Sequence, residues 1–328
     1  MSNLETAPPE LTCCGNTDDG RVPGRVLDSR RVPLGGPRGT VVRRTLPQRE
    51  QSLIGAWCFV DHYGPDDVSV TGGMRVAGHP HTGLQTVSWL FSGEVEHLDT
   101  VGTHTLVRPG ELNLMTAGSG IAHSEYSTPA TTTMHGVQLW VALPDEHRFT
   151  SPGFEHYAPK VTESDGARVL VFLGSLLGET SPVDTFTPLL GAEITLRAGQ
   201  KLRLDVRPTF EHGLLVDTGE VTAAGLTGTQ GQLIALRAGA DSLTLEASAD
   251  AGARVLLIGG EPLGEQIVMW WNFIGRTHEE VATYREQWQR ERAPEQDIET
   301  AQYGQFPEQW EHTLPAPELP NARLKPRG

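Results

Sequence analysis

His79-Pro80-His81 and His123-Ser124-Glu125 bracket a stretch in which short runs of β-forming residues alternate with glycine-marked turns. Inside it, Leu84-Gln85-Thr86-Val87-Ser88-Trp89-Leu90-Phe91 is rich in β-branched and aromatic residues and stops at Ser92-Gly93-Glu94. Val95-Glu96-His97-Leu98-Asp99 follows at once, and the pair is predicted to form a hairpin. Leu106-Val107 runs into the turn Arg108-Pro109-Gly110-Glu111, and Leu112 to Met115 makes a strand before Ala117-Gly118-Ser119-Gly120. Ile121, His123 and Glu125 then alternate with Ala122 and Ser124, and Val137 to Leu143 adds an apolar strand. Six or more strands in about 65 residues describe a β-barrel or sandwich.

The two bracketing triplets carry the chemistry. Of the 12 histidines, seven fall between His62 and His135. Residues i and i+2 of a strand share a face about 6.6 Å apart, so His79 and His81 can point to one side, as can His123 and Glu125. Two neighbouring strands would then bring three imidazoles and a carboxylate to one point. Such a donor set suits a divalent transition metal, and an octahedral ion held by four protein ligands keeps two positions for water, substrate or dioxygen. The donor set does not choose among Fe, Mn, Co, Ni, Cu and Zn; oxygen chemistry would favour iron(II).

Working outward, Leu53 to Val60 reads as a buried strand ended by a turn at Asp61-His62-Tyr63-Gly64-Pro65. Trp57, Trp89 and Trp140 read as core, and the basic pairs Arg30-Arg31 and Arg43-Arg44 as a solvated strand face. His97, His104 and His135 read as polar-face or structural residues, with a supporting or substrate-positioning role as the alternative. A second strand-rich block spans about 168 to 260, with strands at 168–173, 194–196, 202–206 and 254–258. Ser92-Gly93-Glu94-Val95 is echoed by Thr218-Gly219-Glu220-Val221, and Arg108-Pro109-Gly110 by Arg197-Ala198-Gly199 and Arg237-Ala238-Gly239, which hints at a duplication. Thr277-His278-Glu279-Glu280 is a capping box that opens a helix with Val281, Tyr284 and Trp288 on one face. The resulting division is a disordered arm at 1–24, a metal-binding strand-rich domain at 25–150, a second strand-rich domain with its helix at 151–292, and an extended proline-rich tail at 293–328 lying on a domain surface.

With 328 residues the chain has room for two domains of about 150 residues each. A formal charge of -15 and the lack of a dense Lys/Arg run argue against direct nucleic-acid binding. No stretch approaches about 18 consecutive apolar residues, and the N-terminus lacks the pattern of a signal peptide, so no membrane association and a cytoplasmic location are expected. Three cysteines, the adjacent Cys13 and Cys14 and the distant Cys58, make no disulfide framework.

The ordered series Gly78-His79-Pro80-His81-Thr82-Gly83, Gly93-Glu94-Val95-Glu96-His97-Leu98-Asp99, Pro109-Gly110-Glu111 and Met115 to Glu125 resembles the pirin family. So do Gln138-Leu139-Trp140-Val141-Ala142-Leu143-Pro144 and Gly260-Glu261-Pro262-Leu263-Gly264-Glu265. The resemblance covers roughly residues 25 to 290 and implies an all-β bicupin, two cupin barrels face to face, with metal in the N-terminal one alone. It places the family's ligands on His79, His81, His123 and Glu125. The second block has an isolated His212 and no His-x-His. Two departures stand out: Gln85 where cupins and many pirins carry glutamate, and Thr82 where many pirins carry arginine.

The activity this implies is an Fe(II)-dependent dioxygenase of the quercetin 2,3-dioxygenase kind, opening a flavonol with O2 and releasing carbon monoxide, with Glu125 taking the substrate proton. The alternative is a regulator without enzymatic activity, whose metal oxidation state controls docking to a protein partner, a metabolic enzyme or a transcription factor.

Overall fold

The computed structural model describes residues 24–33, 41–293 and 301–328. The arm expected at 1–24, with Cys13 and Cys14, lies outside the described residues except for Gly24, which opens a strand. Nearly all regular structure is β, as expected, with one long helix at His278–Glu291.

Two β-barrels share one plan, each a seven-stranded sheet curled over a four-stranded one. In the first, the large sheet runs in the order 153–157, 112–116, 84–92, 133–142, 57–67, 41–46, 30–33, and the small one 75–81, 121–127, 95–99, 104–107. In the second, the large sheet runs 24–27, 233–236, 211–218, 253–260, 189–196, 167–173, 161–164, and the small one 201–205, 242–247, 220–223, 226–229. Strand for strand the orders match. The barrels also exchange an edge: Gly24–Leu27 pairs with Leu233–Leu236 of the second barrel, and Gly153–Tyr157 with Leu112–Thr116 of the first. The chain therefore crosses between barrels close to both ends of the segment expected to form the first.

The two large sheets pack against each other. Period-two alternation sends Val137, Leu139 and Val141 of one strand into a shared core with Phe172, Leu215 and Leu256 of the other barrel. Trp89 stacks on Phe172 with ring centroids 4.5 Å apart, and its Nε1 donates to Glu193 at 2.8 Å; Trp57 Nε1 donates to the carbonyl of Gly259 at 3.0 Å. Burying each of these large side chains contributes about 1.5–3 kcal/mol, and the indole N–H groups find partners where water is excluded.

Three local expectations change. Ser92-Gly93-Glu94 does not close a hairpin, because Leu84–Ser92 belongs to the large sheet and Val95–Asp99 to the small one. Gly93, with φ 88°, turns the chain between them, and Thr218-Gly219-Glu220 makes the same passage in the second barrel. That echo is structural, whereas the Arg-x-Gly echoes fall at turns that do not correspond. The turn expected at 61–65 lies inside the strand Trp57–Asp67, which pairs along its length with Thr133–Ala142. Finally, Arg44 is not solvated: it is buried, bonding Asp61 through Nε and Nη2 at 2.7 Å each beneath the ring of Phe59.

The capping box forms as expected, with Glu280 N donating to Thr277 Oγ1 at 3.2 Å, and Val281, Tyr284 and Trp288 are the helix's buried residues. The proline-rich segment 301–328 is more than a surface strap. Tyr303, Ala316 and Leu324 are buried with Trp288 of the helix and Ala122 of the first barrel. Its backbone docks as well: Leu314 N donates to the carbonyl of Gly78 at 2.7 Å, and Ile267 and Arg327 exchange backbone hydrogen bonds at 2.7 and 2.8 Å.

Candidate metal centre

Strands Arg75–His81 and Ile121–Ser127 lie side by side, antiparallel, with His79 directly opposite His123 and His81 opposite Ile121. Alternation turns His79, His81 and His123 inward and their neighbours outward, where the tail and helix cover them. Trp310 lies on Gly78 so closely that a Cβ there would sit 2.5 Å from the ring, and its Nε1 donates to Ser124 Oγ at 2.8 Å. Gly83 and Gly118, both at positive φ, turn the chain beside these strands, and Gly83 N bonds the carbonyl of Gly118 at 2.9 Å.

Inside the barrel, one ring nitrogen from each of His79, His81 and His123 falls within 4.8 Å of the others. Ring centroids are 4.3 Å apart for His79 and His123, and 5.1 Å for each pair with His81. All three are buried, and burial pushes their pKa values down, to about 4 for His79 and well below the ordinary value for His81 and His123, where the neighbouring imidazole of His79 adds to it. Neutral imidazoles are the ligating form. His79 Nδ1 lies 2.8 Å from the carbonyl of Ala77, which fixes the hydrogen on Nδ1 and leaves Nε2 its lone pair. His123 Nε2 is buried with no hydrogen-bond partner among the described residues. Such a nitrogen beside two more neutral, buried imidazoles is the arrangement an ion would satisfy, and the donor set fits a divalent transition metal.

Glu125 is buried two residues along the strand from His123, past a register shift in the pairing with Arg75–His81. Its carboxylate is not part of the 4.8 Å grouping, so the structure brings together three of the four residues expected at one point and sets the fourth beside them. Ser88 Oγ lies 3.5 Å from Glu125 Oε1 and donates to Gln138 Oε1 at 3.0 Å. Burial pushes the Glu125 carboxyl up, but the charge and hydrogen bonding around it outweigh this and hold it below the usual glutamate value. Trp140 stands edge-on to His81 at 5.2 Å and stacks on Phe59 at 4.1 Å, giving the site an aromatic wall.

Both departures from the family pattern fall off this inner surface. Gln85 shares the strand face of Val87 and Trp89, turned towards the second barrel, and donates to Thr116 Oγ1 at 2.9 Å. Thr82 donates outward to the hydroxyl of Tyr303 at 3.3 Å. Neither loss alters the three-histidine grouping.

The other histidines separate clearly. His104 is exposed and pairs with Glu96 at 2.7 Å. His97 is buried, with Nδ1 3.3 Å from His123 Nδ1 and Nε2 3.1 Å from Asp99 Oδ2. His62 and His135 face the second barrel, their Nε2 atoms 2.7 and 2.6 Å from Asp217 Oδ1, while Arg254 Nε donates to Oδ2 at 2.6 Å. That cluster also unites three candidate metal-binding side chains. Arg43 lies against both ring nitrogens of His62, its Nε 3.3 Å from Nδ1 and its Nη2 3.3 Å from Nε2, so with Arg254 two guanidinium groups already flank the carboxylate of this cluster. The cluster is a tie between barrels, invisible in the sequence because its three members lie far apart along the chain.

In the second barrel the strands matching 75–81 and 121–127 are Lys201–Asp205 and Ser242–Ala247. Leu202, Leu204, Leu243 and Leu245 fill its interior there. No helix among the described residues is long and apolar enough to cross a membrane.

The family model described as Pirin matches residues 39–141, and that described as Pirin C-terminal cupin domain matches 191–294. A Pseudomonas aeruginosa protein provisionally named quercetin 2,3-dioxygenase is 42% identical over 80% of this chain and 82% of its own. A Caulobacter vibrioides pirin-like protein is 31% identical over 86% of this chain and 99% of its own. The crystal structure of quercetin 2,3-dioxygenase from Acinetobacter baumannii superposes with a TM-score of 0.84 at 39% identity, over 92% of this chain and 97% of that one. A bacterial pirin from Escherichia coli in complex with nickel(II) is 19% identical, with a TM-score of 0.57 over 73% of this chain and 99% of that one, and shares the fold.

Proposed function

Because the chain belongs to the pirin family, we propose that it is a metal-dependent dioxygenase that opens a flavonol with O2 and releases carbon monoxide, using iron(II) held by His79, His81, His123 and Glu125. The observation that carries this reading is the convergence of three neutral, buried imidazoles on one interior point of the first barrel, next to a carboxylate. When bound, the metal supplies Lewis acidity towards the flavonol 3-hydroxyl and 4-carbonyl oxygens and a place for dioxygen.

The protein's own residues do the rest. Glu125, held as a carboxylate, takes the proton of the 3-hydroxyl. Trp140, backed by the stacked ring of Phe59, offers an apolar wall to the flavonol rings and keeps water from the reacting carbon. The second barrel, its interior filled by leucine where the first has histidine, serves as the platform on which the large sheet of the first is laid.

The test is anaerobic loading with iron(II), then addition of quercetin and oxygen. One O2 consumed and one CO released per flavonol opened is expected. Absence of carbon monoxide across a panel of flavonols, with the metal shown to be bound, would overturn the reading.

A further inference from the structure

Two buried residues outside the proposed ligand set form a chain that ends on His123. Asp99 is buried and its Oδ1 is spoken for: Val101 N and Thr103 N donate to it at 3.0 and 2.8 Å. Its Oδ2 faces His97 Nε2 at 3.1 Å. His97 in turn lies Nδ1 to Nδ1 against His123 at 3.3 Å. Strand register builds the chain, since Val95–Asp99 pairs with Ile121–Ser127 so that His123 stands opposite Asp99 and Glu125 opposite His97. Phe154, whose ring centroid is 4.7 Å from that of His97, closes the outer side.

With His97 neutral, hydrogen counting leaves one arrangement. An ionised carboxylate can only accept, so the hydrogen on His97 must be on Nε2, pointing at Asp99. Its Nδ1 is then an acceptor. Two ring nitrogens 3.3 Å apart need one hydrogen between them, and His97 Nδ1 has none, so His123 must carry its hydrogen on Nδ1. The lone pair of His123 is thereby placed on Nε2, the buried nitrogen that has no partner among the described residues. His79 reaches the same state more simply, through the carbonyl of Ala77.

We propose that Asp99 and His97 are positioning residues that set the tautomer of His123, so that the site is ready to receive a cation before one arrives. This rests on the reading of His123 as a metal ligand but is testable without metal. Asp99→Asn is the decisive variant. An asparagine Oδ1 can still accept from Val101 N and Thr103 N, so the turn keeps its bonds, but its NH2 now faces His97. His97 must answer with a bare Nε2 and a hydrogen on Nδ1, and His123 must then move its hydrogen to Nε2, where it blocks the site. His97→Asn keeps an acceptor oxygen close to the Nδ1 position and should preserve the wild-type tautomer.

Long-range 1H–15N correlation spectra of the metal-free proteins would report which nitrogen of His123 carries hydrogen, and chelator competition would report Zn2+ affinity. Expected are Nδ1–H in wild type and His97→Asn, Nε2–H in Asp99→Asn, and a loss of about 10- to 100-fold in Zn2+ affinity in Asp99→Asn alone. An unchanged His123 tautomer in Asp99→Asn overturns the proposal. So does Asp99→Asn binding Zn2+ as tightly as wild type. His123→Ala binding Zn2+ as well as wild type would instead overturn the ligand assignment, whatever the tautomers show.

Discussion

His62 of the first barrel and Asp217 of the second meet at 2.7 Å, both wholly buried, and His135 reaches the same carboxylate oxygen at 2.6 Å. Burial alone would push the Asp217 carboxyl up; the hydrogen bonds from His135 and His62 outweigh it and hold it below the usual aspartate value. Asp217→Ala would leave two imidazoles and the guanidinium of Arg254 facing an uncompensated hole between barrels. The expected cost is about 3–5 kcal/mol, read from the shift in urea midpoint at unchanged slope. A loss below about 1 kcal/mol would mean the tie is dispensable.

His212 predicts how stability depends on pH. It is buried in the second barrel, neither ring nitrogen has a partner among the described residues, and burial lowers its pKa from 6.5 to about 4. The unfolded chain therefore binds a proton on this residue at higher pH than the folded one. Its contribution is complete above pH 6.5 and is lost as pH falls towards about 4, at up to about 1.4 kcal/mol per pH unit. His212→Leu should flatten the stability profile across that window by close to one proton, as measured by denaturant titrations at successive pH values.

Metal removal should be visible in stability as well as activity. At a free metal concentration about 1,000 times Kd, binding adds about 4 kcal/mol, so chelation should lower the melting temperature of wild type. His79→Ala and His123→Ala should melt at the same temperature with and without chelator. Glu125→Gln should keep a chelator response, because the three imidazoles remain, while losing turnover by about 100-fold or more. Equal turnover in Glu125→Gln would remove it from the proton-transfer role.

Gly118 tests the turn before the strand of His123. Its φ is +50°, and a Cβ there would meet the carbonyl oxygen of Thr150 at 1.9 Å. Gly118→Ala should cost about 2 kcal/mol or more and weaken metal binding with it. Gly102, also at positive φ but with open space around it, should tolerate alanine far better, and comparing the two melting curves separates the clash from backbone strain.

The inward histidines were legible because alternation along a strand is local: His79 and His81 share a face wherever that strand lies, and so do His123 and Glu125. The capping box at Thr277 and the tryptophans of the core were legible for the same reason, each depending on neighbours in sequence or on size. The sequence by itself thus determined an all-β chain with two strand-rich blocks and one metal-suited donor set, which the family resemblance assigned to paired cupin barrels.

Only the tertiary structure decided which strands became neighbours. The register of Val95–Asp99 against Ile121–Ser127 put His97 and Asp99 behind His123, and the packing of two large sheets brought Asp217 to His62 and His135. It also turned Gln85 and Thr82 away from the interior, so that substitutions notable in the sequence leave the three-histidine grouping untouched. The physical reason is common to all of these. Backbone geometry fixes the side of a strand on which a residue lies, but what stands opposite depends on pairing between segments far apart in the chain, and hydrogen-bond partners and charge environment follow from that pairing.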